Sequence, residues 1–223
     1  MKRLITLGCS LGPKQLWPTY TRRLLISLNL DFTHVHIGAG ARGNKVNLFL
    51  LNQEILNNGL EDTFILWQLS GWQRHDSVVH ENVLRKPQAL REDHYEICKN
   101  IYTDEITYAI WGGANHPNYE LHTTEQNAHI NHSAQLEQMI TQICLLAKNC
   151  KLLVFRGWRG AMPNWDKITE AFDRHNVNYI YEGYVDWVAQ RHDMASRNDW
   201  HPNKNECKDY FSHVLGPKIK ELL

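Results

Sequence analysis

Short apolar runs that alternate with apolar stripes at helical spacing constrain this chain more than any other feature. RLITLG (3–8) reads as a buried strand, and WPTYTRRLLISLNL (17–30) follows with Trp17, Leu24, Leu25 and Leu28 along one helical face. THVHIG (33–38) alternates with a period of two. NKVNLFLLNQEILNNG (44–59) returns to helical spacing through Val46, Phe49, Leu50, Ile55 and Leu56, with Asn58-Gly59 as its stop. TFILWQLS (63–70) is apolar enough for a central strand of a parallel sheet. The alternation resumes later. HSAQLEQMITQICLLAKN (132–149) predicts an amphipathic helix and KLLVFRG (151–157) a fourth strand. NWDKITEAFDRHN (164–176) predicts a helix capped by Asn164 behind Pro163, VNYIYEG (177–183) a fifth strand, and a last helix runs from about Asn203 to Leu222. Strands alternating with helices imply an α/β fold with a parallel, doubly wound sheet of about five strands.

The pattern breaks between about 71 and 130, a stretch rich in His, Asn and Glu. It reads as an insertion in a single domain spanning 1–223, with helical pieces around 91–110, where REDHYEICKNIY carries Tyr95, Ile97, Ile101 and Tyr102. A chain of 223 residues can bury a substantial core without staples.

Basic and acidic residues balance at 24 each, so no large net field favours nucleic acid or an anionic membrane. The five cysteines, Cys9, Cys98, Cys144, Cys150 and Cys207, are odd in number and lack a CxxC pair. That spacing suggests neither a zinc knuckle nor a disulfide framework, and reduced thiols in a cytoplasmic setting are expected. The start MKRLITLGCS mimics a secretory signal, but its apolar stretch is about five residues against the roughly 7–15 of a signal core. No run approaches the roughly 18 apolar residues of a membrane span.

Two motifs are attractive and misplaced. GAGARG (38–43) is literally GxGxxG, but a full strand–helix unit precedes it, and Glu61 and Asp62 come before the next strand instead of after it. A tight glycine turn is the simpler reading, and no nucleotide cofactor is expected. DWH (199–201) matches the D-x-H pair of binuclear metallophosphoesterases, but only about 20 residues remain after it to supply further ligands. His129 and His132 could share a helix face, yet no acidic third ligand is in register. No metal is expected.

In a doubly wound sheet the ligand lies beyond the carboxyl ends of the strands. Ser10 follows the first strand there, in a stretch whose small residues Gly8, Cys9 and Gly12 let the backbone turn and present its hydroxyl. His201 stands just before the last helix and can reach the same edge. A serine needs a base to take its proton, and the base needs an acid to fix its tautomer. Asp199, two residues before His201, can supply that acid or cap the following helix. The glycine turn offers backbone N–H groups at a helix start, the donors an oxyanion requires.

These blocks resemble the SGNH (GDSL-like) hydrolases over nearly the full length. Gly8-Cys9-Ser10 is similar to the Gly-Asp-Ser block, GAGARGN to the glycine-bearing second block, and DWHPN to the last block. The resemblance implies a flavodoxin-like three-layer sandwich and a metal-free, cofactor-free serine esterase. Ser10 would be nucleophile, His201 base and Asp199 its orienting acid, with Ser10, Gly40 and Asn44 as oxyanion donors. Gly43 could stand for Gly40 if the turn is registered differently.

Three departures stand out. Cys9 replaces the aspartate of Gly-Asp-Ser. The acid usually three residues before the histidine is Asn198 here, so Asp199 must reach round or the site is a Ser–His dyad. The third block, Gly-x-Asn-Asp, is replaced by QLSGWQRHD (68–76), with its asparagine falling near Trp72 and compensation available from Asn44, Gln73 or Arg74.

Several of the eight tryptophans, among them Trp72, Trp158 and Trp200, fall where loops should leave the active edge. With Arg74 suited to an anionic substrate and Arg156 and Arg159 beside Trp158, they could stack on a sugar, so a small-molecule or glycan ester, including O-acetyl carbohydrate, is the expected substrate. Core packing explains Trp17 and Trp67 just as well as a place at the site does. A catalytically weak binding module, or an acyltransferase using the same residues, are the alternatives.

Overall fold

Five of the apolar runs pair into one sheet. The computed structural model describes residues 1–10, 16–40, 43–70, 77–80, 95–99, 106–110, 125–157, 162, 164–193 and 201–223. The sheet is built from β1 (Arg3–Leu7), β3 (Thr33–His36), β5 (Thr63–Leu69), β9 (Lys151–Arg156) and β10 (Asn178–Ile180). Their order across it is β10-β9-β5-β1-β3, and every neighbouring pair is parallel. Counted along the chain, that is 2-1-3-4-5, the flavodoxin-like order. β1 and β5 are buried along their whole length, as strands covered on both faces must be.

Two helical layers provide the cover. On one face, α2 (Asn44–Asn58), α3 (Glu125–Ala147) and α4 (Trp165–Arg174) pack on Ile5, Leu7, Ile65, Trp67 and Val154. On the other, α1 (Leu16–Ser27), α5 (Tyr184–Ala189), α6 (Lys204–Tyr210) and α7 (Gly216–Leu222) pack on Leu4, Phe64, Leu66 and Phe155. The alternation of these residues along each strand is the period-two rule serving two cores at once. Trp17 and Trp67 are both core residues, 2% and 0% exposed. Trp17 meets Phe155 edge-on with centroids 5.2 Å apart.

Local chemistry explains most boundaries. α2 ends at Gly59 with φ of 71°, a left-handed position that glycine adopts without strain, and its N–H bonds Ile55 O. Asn203 caps α6 by accepting from the N–H groups of Asn205 and Glu206, while Glu206 accepts from the Asn203 N–H at 2.7 Å. This capping box is legible as Asn203 with Glu206 three residues on. Between α6 and α7, Phe211–Leu215 widen into a π-helical turn just before Pro217, which has no N–H to return to the preceding turn. The expected last helix is therefore one run with a local widening.

Two expectations require correction. Asn164 does precede α4, but it is left-handed (φ 50°) and makes no side-chain capping bond. The expected helix within 91–110 is instead β7 (Tyr95–Lys99) and β8 (Ile106–Ile110), which form an antiparallel three-stranded sheet with β6 (Ser77–His80) in the order β6-β8-β7. Tyr95 with Ile97, and Ile106 with Tyr108 and Ile110, repeat every second residue and are β-branched or aromatic, a strand pattern. The helical spacing came from joining Tyr95 and Ile97 to Ile101 and Tyr102, which lie outside the described residues. Among the described residues no helix is long and apolar enough to cross a membrane.

Gly8 marks where β1 stops. A Cβ there would lie 2.7 Å from Gln68 Cβ and 3.0 Å from Gln68 Oε1, because the fully buried Gln68 side chain crosses over the glycine. Gly8→Ala is therefore expected to destabilise the fold by about 1–3 kcal/mol, read from denaturant midpoints. Gln68→Gly, which removes that Cβ, in the same background should recover part of the loss, and full additivity would contradict the contact.

Candidate active site

The carboxyl edge of the sheet gathers what the sequence scatters. Past β1 and β3, the two strands continue side by side as β2 (Cys9–Ser10) and β4 (Ala39–Gly40), a parallel pair with Cys9 opposite Ala39 and Ser10 opposite Gly40. Ser10 and Gly40, 30 positions apart in the chain, are thus backbone neighbours. β1 lies between β3 and β5, where the strand order reverses, the switch point at which open α/β sheets bind ligands.

His201 stands just before the last helical run of the chain. Lys151 Nζ, at the start of β9, donates to Leu223 O at 3.0 Å, so the chain end lies at the amino edge of the sheet. The helical run 204–222 spans about 28 Å at 1.5 Å per residue, which places its head at the carboxyl edge. His201 stands exposed three residues before that head. The segment after His201 is firmly held: Pro202 is buried, its carbonyl lies 3.7 Å from the Cys207 thiol, and Asn203 and Glu206 close the capping box. Sequence reasoning did not assign Asn203 or Glu206, although their spacing carried the signal.

Asn44, expected among the oxyanion donors, has another occupation. It is the first residue of α2 and is buried. Its Oδ1 accepts from the Ser70 N–H at 2.9 Å and from Ser70 Oγ at 3.1 Å, and its Nδ2 donates to Ser70 O at 2.7 Å. Ser70 itself is fully buried at the end of β5. The amide joins the start of α2 to the residue that follows β5.

Arg156, at the end of β9, is buried, not displayed. Its Nε donates to Tyr181 O at 3.2 Å, and its guanidinium lies over Trp165 at 5.0 Å and Tyr181 at 5.6 Å from the ring centroids. Its setting fits a fixed positive charge beneath the carboxyl edge. Asp199, Trp72, Gln73, Arg74, Trp158, Arg159 and Trp200 lie outside the described residues. His129 and His132 fall on α3.

A cavity of about 390 Å³ opens elsewhere, along β3 and α2, lined by Ile37, Leu50, Gln53, Glu54, Cys98 and Lys99 among others. It flanks the sheet and extends along α2 to Asn57, about 20 Å of helix from Asn44. Gly38, two residues before Gly40, also lines it.

Burial pushes the Cys150 thiol up to about 11 and also raises Cys144 and Cys207, so all three stay protonated near neutrality.

No family model and no curated protein matches the sequence. Solved structures do match. TesA superposes with a TM-score of 0.52 at 15% identity over 100% of both chains. The psychrotrophic esterase EstA from Pseudoalteromonas sp., in a structure inhibited by monoethylphosphonate, gives 0.52 at 12% identity over 99% of this chain and 98% of its own. AlinE4, described as an SGNH-hydrolase family esterase, superposes less well, at 0.44 and 13% identity over 100% and 97%. The first two likenesses show the fold: a three-layer α/β sandwich around a five-stranded parallel sheet.

Proposed function

We propose that the chain is a serine esterase working at the carboxyl edge of its sheet, with a small ester as substrate. The observation that carries this reading is the register of β2 and β4, which sets the Ser10 backbone directly beside Gly40. The names of the structural neighbours, which include esterases, support it.

Ser10 Oγ attacks the acyl carbon while an imidazole nitrogen of His201 takes the hydroxyl proton. The negative charge that develops on the carbonyl oxygen is held by the N–H groups of Ser10 and Gly40, fixed beforehand by the strand pairing. Collapse breaks the bond to the alcohol, which leaves with the proton from His201. Water then attacks the acyl-enzyme with His201 again as base, releasing the acid and restoring Ser10. Asp199 orients the imidazole in a triad; without it the pair acts as a dyad. Trp72, Arg74 and Trp158, which come after the third and fourth strands of the sheet in the chain, are the residues assigned to the substrate. An O-acetylated carbohydrate suits that combination of rings and charge.

The test is hydrolysis of p-nitrophenyl acetate and of an acetylated oligosaccharide, together with labelling by a fluorophosphonate. Turnover and stoichiometric labelling are expected. A folded protein that neither turns over ester nor takes the label is a binding module. Ester formation on an added sugar acceptor, in excess over free acid, is acyl transfer.

A further inference from the structure

The family pattern that GCS, GAGARGN and DWHPN resemble includes a third block after the third strand of the sheet, and this chain has SGWQ there instead. One asparagine side chain closes both backbone polar groups of Ser70, the residue directly after β5. That is the pairing a neighbouring peptide unit would make, and the Ser70 hydroxyl adds a third bond to the same oxygen. Both residues are buried, at 9% and 0% exposure, so water does not compete for these groups.

The position of the clamp gives it a consequence. Asn44 lies four residues after Gly40 in the chain and begins α2. Ser70 ends the strand that neighbours β1, the strand leading to Ser10. The clamp therefore ties the start of α2, on the Gly40 side of the site, to β5, the strand that pairs with β1 on the Ser10 side.

We infer that Asn44 is a positioning residue, whose amide grip on Ser70 sets the Gly40 N–H relative to Ser10. The inference rests on the serine esterase reading and deepens it. Asparagine is required because an amide donates and accepts at once. Aspartate is nearly the same shape but sets a carboxylate oxygen against the Ser70 carbonyl, with no hydrogen to offer. A displaced N–H matters most when charge develops on the substrate oxygen, so the turnover step should suffer more than substrate binding.

The experiment compares Asn44→Asp, Asn44→Ser and Ser70→Ala with the parent, using p-nitrophenyl acetate and a fluorophosphonate. Thermal melts and circular dichroism give the folded fraction. Asn44→Asp is expected to lower kcat per folded molecule about tenfold to a hundredfold with KM within about twofold, and to slow phosphonylation in parallel. Asn44→Ser, which keeps a shorter donor and acceptor, should fall between. Ser70→Ala keeps the backbone N–H and carbonyl, so its kcat should drop by no more than about threefold. If Asn44→Asp does not fold, the ranking of the other two decides. Lower melting temperatures with unchanged kcat per folded molecule would make the clamp purely structural and overturn the inference. So would a kcat for Ser70→Ala below that of Asn44→Ser. A parent protein without turnover or label overturns the esterase reading and this inference with it, whereas active parent with indifferent Asn44 variants overturns the inference alone.

Discussion

Ser10→Ala is expected to remove fluorophosphonate labelling and to lower ester turnover about 10⁴- to 10⁶-fold, while the fold survives. The size reflects what the hydroxyl does. Without Oγ there is no acyl-enzyme, and the single hard step is no longer divided into two easier ones. The residual rate is what the backbone donors and substrate binding supply alone. The fold should tolerate the change, because a two-residue pairing with β4 depends on the backbone of Ser10, and alanine keeps it. Cys9 makes this variant informative in a second way. If the thiol one residue earlier were the nucleophile, Ser10→Ala would retain activity and Cys9→Ala would lose it. Labelling and turnover of both variants, beside melting curves, settle which atom attacks.

His201→Ala is expected to lower kcat about 10⁴-fold or more with a small change in KM, since the imidazole acts in moving the proton. Stability should barely change. His201 is exposed, while the anchoring of that segment is done by Pro202, Asn203 and Glu206, all kept. The paired variant Asp199→Asn separates triad from dyad. In a triad it loses about 10⁴-fold in kcat because the wrong tautomer is held. In a dyad it stays within about tenfold. Steady-state rates at saturating ester give both numbers, and an active His201→Ala enzyme would remove the histidine from the mechanism.

The sheet was legible because each buried strand carries its signal locally. RLITLG and TFILWQLS are mostly apolar, and such runs fit strands covered on both sides. The helix 44–58 was legible to its last residue because Asn58-Gly59 states its own stop. The strands at 95–99 and 106–110 were not, because two apolar residues at period two resemble helical spacing once a second pair from beyond the strand is added. Only the cross-strand partners decide between them. The left-handed Asn164 escaped for a similar reason: the residue type suits a cap, while the conformation depends on how α4 is approached.

The site was legible in part. Gly8 and the small residues after it announced a strand that must stop, and the backbone register of Ser10 with Gly40 follows from two parallel strands carried past their helices. The role of Asn44 was beyond the sequence. An asparagine at the start of a helix after a glycine turn suits an oxyanion donor, a cap or a clamp equally well. Its bonds to Ser70, 26 residues away, decide among these, and they exist only once α2 and β5 are packed.

The central claim is that an alcohol on Ser10, an imidazole on His201 and the Gly40 N–H surround one reacting carbon. A crystal structure of the fluorophosphonate adduct tests it most directly. Phosphorus bonded to Ser10 Oγ, a His201 ring nitrogen within about 2.6–3.2 Å of the ester oxygen, and the Gly40 N–H donating to the phosphoryl oxygen is the predicted result. Phosphorus on another residue, or an imidazole turned to solvent on the far side of α6, would contradict it.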